Sequence, residues 1–318
     1  MDVKTLRTAV APVLWGSTYL LIAEVLPADR PLFTAACRVL PAGLVLVAPT
    51  WRRWRPHGAE WSHVAVLSVA NFGLFFPLLV VAAALMPGGV VAAFGGITPL
   101  VVVALTALLD RRRPSRSAVL VGLAAAAGVA LVAGRPDAHY PLGGVAAAVA
   151  ANVSFAVGIV LTRRSAPPVS PVGYAGWQLL VAGGGLGVLA FAVEGPPPAL
   201  APQQVLGLGY FSLVCTAGAF LLWFDGVRRL PVVAPPLLSL AAPLTGATLG
   251  WAVLGQALSA TQILGFAVTG LAVAHGAFHA PDRSEVFRPG VESYRGFRRG
   301  STADGAAQID APRAARCG

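Results

Sequence analysis

The chain has 318 residues, of which 56% are hydrophobic and only 11% charged, with a formal net charge of +10. A soluble domain carries about 25% charged residues, so a water-facing surface cannot be tiled here and a soluble enzyme is excluded. The positive charge does not mark a nucleic-acid binder either, because the basic residues sit between apolar runs and form no basic groove with interleaved aromatics.

Ten apolar runs follow in chain order, at residues 8–26, 32–49, 64–86, 90–109, 117–134, 143–162, 171–193, 205–226, 232–254 and 260–279. Each approaches the length a helix needs to cross the hydrocarbon layer. None alternates polar and apolar residues as a membrane barrel strand does. Backbone groups in lipid must be satisfied within the segment, so the runs are expected to be helices of an all-α integral membrane protein. Lys4 and Arg7 precede the first run, but Trp15, Tyr19 and Glu24 interrupt its core and no small-residue cleavage site follows. It is read as a retained first span rather than a signal peptide.

Basic residues alternate in number from one connection to the next. Lys4 with Arg7, Arg52 to Arg55, Arg111 to Arg116, Arg163 with Arg164, and Arg228 with Arg229 put thirteen on one side, against Arg30 and Arg135 on the other. The positive-inside rule then predicts a multi-pass protein of the cytoplasmic membrane with both termini cytoplasmic. Residues 280–318 are polar and hold no sustained apolar period. They are expected to be a disordered cytoplasmic tail.

The two halves resemble each other. At an offset of 140, Trp15-Gly16 falls on Phe155-Ala156, Arg38 on Gln178 and Gly43 on Gly183. At an offset of 145, Gly73 falls on Gly218; Pro99-Leu100 then falls on Pro243-Leu244 and Ser115 on Ser259. This divides the chain into a first five-helix repeat at 1–134 and a second at 135–279. Five is odd, so the second repeat is expected to enter the membrane upside down relative to the first. Two inverted five-helix repeats around a central cavity are the architecture of alternating-access carriers. A Gly-rich loop ending in Gly-Lys-Ser/Thr is absent, so ATP-driven pumping is not expected.

At this point the residues carry a resemblance. Leu14-Trp15-Gly16-Ser17-Thr18 followed by Ala35-Ala36-Cys37-Arg38 resembles the opening of an EamA-type transporter of the drug/metabolite transporter superfamily. Phe220-Leu221-Leu222-Trp223-Phe224 with Leu230, Pro243 and Leu254-Gly255 is similar to its second-half pattern. The resemblance covers residues 8–279. It implies a ten-helix basket with a central cavity and movement of small metabolites, often export of amino acids or drugs. Two positions depart from the family pattern of Gly-Glu after the fourth and ninth spans. Asp110-Arg111 keeps an acid, and Gly255-Gln256 does not.

Charges within spans are rare and mark function by default. Two stand out, Glu24 near the outer end of the first span and Arg38 roughly 9 Å into the second at 1.5 Å per residue. An ion pair between them is expected, with its use left open: structural pairing or snorkelling, or a role as an outer gate or a carboxylate-binding point. Polar side chains near mid-span are the next candidates, Thr18, Thr98, Asn152, Cys215 and Thr216, with Asn71 a third of the way into the third span. Asn152 either bonds between helices or faces a solute. Aromatic residues Trp15, Tyr19, Phe72, Phe75, Phe76, Phe94, Phe155 and Trp223 either line a cavity for an organic solute or pack the core. The substrate-binding set expected from these is Trp15, Thr18, Tyr19, Asn71, Phe75, Thr98, Asn152, Phe155 and Trp223. Trp51, Trp54 and Trp61 read as interface anchors, and Gly246-x-x-x-Gly250 as a close-packing motif.

No cofactor or metal is expected. His275 and His279 share a helix face without a third ligand, and Cys37, Cys215 and Cys317 form no metal spacing or disulfide framework. The partners expected are a small-molecule substrate and membrane lipid, not nucleic acid, with the protein a monomer or homodimer. The function expected is secondary transport of a small organic metabolite (amino acid, drug or similar), in the export direction that the resemblance implies. The alternative is a membrane-embedded enzyme acting on lipid or a lipid-linked substrate. No catalytic triad or carboxylate pair gathers within one leaflet to favour it.

Overall fold

The computed structural model describes residues 3–27, 29–52, 54–111, 113–114, 116–133, 139–164, 170–223, 238, 241–255 and 258–278. The described residues form helices α1 (Val3–Glu24), α2 (Pro31–Val47), α3 (Glu60–Leu85), α4 (Gly88–Asp110), α5 (Arg116–Ala133), α6 (Leu142–Arg164), α7 (Pro171–Val193), α8 (Pro202–Trp223), α9 (Ala241–Leu254) and α10 (Ala260–Phe278), with no strand among them. The chain is a multi-pass membrane protein. Six of these helices are long and apolar enough to cross the hydrocarbon layer: α1, α3, α4, α6, α7 and α8. The apolar stretches of α2, α5, α9 and α10 are shorter. Much of the ninth expected span, and the whole expected tail at 280–318, lie outside the described residues.

Local chemistry sets the helix ends. Pro31, Pro171 and Pro202 each open a helix, where their missing N–H costs nothing. Ser170 caps α7 by accepting from the N–H of Gly173 at 3.2 Å. The cap of α2 comes from far along the chain. With no N–H on Pro31, the free donors are Leu32 and Phe33, and the two oxygens of Glu194 take them at 2.7 and 2.9 Å. Helices α4 and α9 both stop at a left-handed residue, Arg111 (φ 51°) and Gly255 (φ 64°).

Two spans contain π-helical turns. Val69–Gly73 interrupts α3, and Tyr210–Gly218 interrupts α8. One residue more per turn widens the backbone and turns side chains aside, which is why such turns gather at functional positions. Inside α3, Leu74 donates to the carbonyl of Val69 across five residues.

Small residues let α2 and α7 pack backbone to backbone. A methyl group on Gly43 would lie 2.5 Å from the backbone nitrogen of Leu180, and one on Gly183 would lie 2.6 Å from Cα of Leu40. Helices α5 and α10 meet in the same way, with a methyl on Gly265 2.6 Å from the carbonyl oxygen of Gly128. Gly246 of the expected packing motif faces Tyr19, and the tightest approach on α9 is made by Gly16 of α1, whose methyl would lie 2.5 Å from the carbonyl oxygen of Ala242. Elsewhere α1 packs on α9, α4 on α6, α2 on the π segment of α8, and α7 on the π segment of α3. The core between them is built from Val39, Leu46, Phe72, Phe76, Val90, Leu179 and Leu186, all buried.

The expected interface anchors gather on one another. Trp51 stacks on Trp177 at 5.1 Å between ring centroids, and Trp61 and Trp54 meet Trp177 edge-on at 5.7 and 6.4 Å. Trp51 and Trp61 are exposed, while Trp177 between them is buried.

Candidate functional site

Arg38 projects from α2 onto the π segment of α8. It is only 4% exposed. Its Nε donates to Oγ1 of Thr216 at 3.2 Å, and that hydroxyl in turn donates to the carbonyl of Phe211 at 2.9 Å. Both faces of the guanidinium are covered, with Cζ 4.0 Å from the centroid of Phe76 and 4.3 Å from that of Phe211. Nη1 is buried without a hydrogen-bond partner. An arginine mid-span costs about 2.5–3.5 kcal/mol on insertion scales. A desolvated cation–π contact contributes about 2 kcal/mol, so the two rings offset much of that cost. The unmet N–H, at about 1–3 kcal/mol, is left over.

The expected Glu24–Arg38 ion pair is not formed. Glu24 is exposed at the end of α1. Ion pairs among the described residues include Arg30–Asp29, His57–Glu60 and Arg164–Asp110, and neither Glu24 nor Arg38 takes part in them. Comparable depth in adjacent spans does not fix azimuth: Arg38 lies on the face of α2 that meets α8, and Glu24 does not follow it inward.

The aromatic candidates join into one chain of contacts. Trp223 meets Trp15 at 5.3 Å, Trp15 meets Phe220 at 5.9 Å, and Phe220 meets Phe72 at 6.0 Å. Phe72 stacks on Phe76 at 5.8 Å, Phe76 touches Phe75 at 5.0 Å, and Phe75 stacks on Phe155 at 4.9 Å. Phe72 and Phe76 in the middle are buried, while both ends are partly open. Arg38 sits on this chain through Phe76. Ser17 shares a hydrogen bond with the Tyr210 hydroxyl at 2.9 Å and a longer one with the Cys215 thiol at 3.8 Å.

The other polar candidates divide into separate clusters. Nδ2 of Asn71, in the π segment of α3, donates to Gln178 Oε1 at 3.0 Å and to Thr162 Oγ1 at 3.2 Å. Thr98 donates to Asn152 Oδ1 at 3.1 Å, and Asn152 Nδ2 donates to the carbonyl of Ala148 at 2.8 Å. Asn152 therefore bonds between helices. Thr18 bonds back to the carbonyl of Trp15 at 2.6 Å within its own helix. Trp15, Phe75, Phe155 and Trp223 are thus brought together with Arg38, whereas Asn71, Thr98 and Asn152 lie in the two other clusters.

Sequence reasoning passed over Phe211 and Tyr210, which are adjacent in an apolar run with no signal of their own. Gln178 entered only as the repeat mate of Arg38. Among the described residues no group of three His, Cys, Asp or Glu gathers to hold a metal ion.

The EamA-like transporter family matches the chain twice, over residues 6–134 and 142–275. The chain belongs to that family. Protein PecM of Dickeya dadantii is 34% identical over 259 residues, covering 80% of this chain and 86% of its own length. The uncharacterized transporter YwfM of Bacillus subtilis is 26% identical over 275 residues, covering 84% of this chain and 91% of its own. A crystal structure at 23% identity superposes with a TM-score of 0.61, covering 87% of this chain and 97% of that one. At that identity the likeness is one of fold. Within this EamA-like chain, the aromatic chain and Arg38 draw on both matched segments, since Trp15, Arg38 and Phe75 lie in the first and Phe155, Phe211 and Trp223 in the second.

Proposed function

We propose that the protein is a secondary transporter of ten spans, arranged as two inverted five-helix repeats at 1–134 and 135–279. It moves a small organic metabolite across the cytoplasmic membrane by alternating access, in the export direction, with both termini inside. The observation that carries this reading is a repeated polar contact. Arg38 of α2 bonds Thr216 in the π segment of α8. Its repeat mate Gln178 of α7 bonds Asn71 in the π segment of α3. Asn71 and Thr216 are themselves mates at the offset that aligns Gly73 with Gly218.

The neighbour relations support the same symmetry. Exchanging α1 with α6, α2 with α7, α3 with α8, α4 with α9 and α5 with α10 turns the α1–α9 contact into α6–α4, and α3–α6 into α8–α1. The α2–α7 and α5–α10 contacts map onto themselves, as helices on a two-fold axis do. The ion pair of Asp110 with Arg164 supports a shared membrane face for the ends of α4 and α6. The bonds from Glu194 to the start of α2 support the opposite face for the end of α7.

The residues assigned to the solute in this reading are Trp15, Thr18, Tyr19, Phe75, Phe155 and Trp223, together with Arg38. Asn71, Thr98 and Asn152 hold the surrounding helices in register. Flux into proteoliposomes of a labelled pool of amino acids and other metabolites, with and without a pH gradient, tests it. Protein-dependent flux of at least one solute is expected. No flux, together with hydrolysis or transfer on lipid, overturns it.

A further inference from the structure

Arg38 and Gln178 occupy equivalent places in the two repeats but differ in how their polar atoms are used. Gln178 is buried and neutral, and its carbonyl oxygen accepts from Asn71. Arg38 is buried and charged, and no carboxylate lies within salt-bridge distance among the described residues. Its hydrogen-bond partner, the Thr216 hydroxyl, carries no charge. The pseudo-symmetric pair therefore leaves one unbalanced positive charge beside the aromatic chain.

The geometry restricts what neutralises that charge. Phe76 and Phe211 cover the two faces of the guanidinium. Thr216 occupies the Nε edge. The approach left is in the guanidinium plane, on the side of Nη1, whose hydrogens have no acceptor. A donor held rigidly between two rings suits a carboxylate oxygen, which accepts a charge-assisted hydrogen bond in the guanidinium plane. Sandwiching also freezes the side chain, so little rotamer freedom is lost on binding. The ring that covers one face, Phe76, begins the chain through Phe72 and Phe220 to Trp15, which suits an aromatic or apolar body.

Resting on the transporter reading above, we propose that Arg38 is the docking point for the carboxylate of an organic acid with an aromatic or apolar body. The acid bonds in plane to the Nη1 edge while its body lies along the aromatic chain. This names a substrate class for the site: organic monocarboxylates over their neutral amides.

The experiment compares benzoate, phenylacetate and cinnamate with benzamide, phenylacetamide and cinnamamide. Binding is read by equilibrium dialysis of the purified full chain in detergent, and flux is read in proteoliposomes. The variants are Arg38→Gln, Arg38→Lys and Gln178→Ala. The wild type is expected to bind at least one acid about tenfold or more tighter than its amide, the scale of one charge-assisted hydrogen bond. Arg38→Gln is expected to abolish that preference, Arg38→Lys to reduce it, and Gln178→Ala to keep it. If Arg38→Gln does not fold, the wild-type preference and its change in Arg38→Lys decide the matter. Equal binding of acid and amide across all three pairs, or a preference that survives in Arg38→Gln, overturns the inference. Flux of neutral solutes without acid preference overturns the inference and leaves transport standing. Acid-selective binding without flux of any solute sustains the inference and overturns transport.

Discussion

The carboxylate of Glu194 accepts the backbone N–H of Leu32 at 2.7 Å, across 162 residues of chain. With its second oxygen on Phe33, it closes the N-terminus of α2 from the end of α7. A carboxylate there satisfies two orphan donors and complements the helix dipole. Glu194→Ala should lower stability by about 1–2 kcal/mol, and Glu194→Gln, which keeps one acceptor, by less. Thermal unfolding in detergent reads both.

Neighbouring glycines in one helix should respond with opposite signs. Gly183 is pressed against Leu40, whereas a methyl on Gly184 would meet nothing within 4 Å. Gly183→Ala should cost about 1–3 kcal/mol by overpacking. Gly184→Ala should be neutral or stabilise by up to about 1 kcal/mol, since alanine is the better helix former. The yield of monodisperse protein on size exclusion, with its melting temperature, separates the two.

Arg111 and Gly255 end α4 and α9 in the same left-handed conformation. That conformation costs an L side chain about 1–2 kcal/mol. Arg111→Gly should therefore raise stability by about 1 kcal/mol. Gly255→Ala should lower it by a similar amount, because a methyl there meets no neighbour and only the backbone is strained. Melting temperatures of the two variants are expected to move in opposite directions.

The ion pair of Arg164 with Asp110 is about half exposed. Exposed pairs contribute about 0–1 kcal/mol, so Asp110→Asn should leave the melting temperature nearly unchanged. A loss of several degrees would show that the pair holds α4 and α6 together.

Much of the helical layout was legible in the sequence because hydrocarbon leaves a backbone few alternatives. The run starting at residue 64 became a helix from Glu60, since Glu60 reaches back to the N–H of His57 at 2.8 Å and starts the helix one turn early. The pairing of Glu24 with Arg38 was misread because depth along a helix says nothing of azimuth, and azimuth decides which neighbour a side chain meets. The π turns at Val69–Gly73 and Tyr210–Gly218 left no mark in composition. Thr216 and Asn71 nevertheless stood out as polar residues in apolar runs, and the repeat offset linked Arg38 to Gln178 before their partners were visible. Glu194 was overlooked because its role depends on a helix start 162 residues away.

In the proposed transporter, two similar halves expose one site alternately to each side of the membrane. Solute counterflow measures this directly. Proteoliposomes are loaded with an excess of unlabelled solute, phenylacetate first, and diluted into a trace of the labelled form with no ion gradient. A carrier that alternates must bring label inward as unlabelled solute leaves, so a transient accumulation above the equilibrium level is predicted. Label that only rises to equilibrium, or never enters, for every solute in the pool would contradict it.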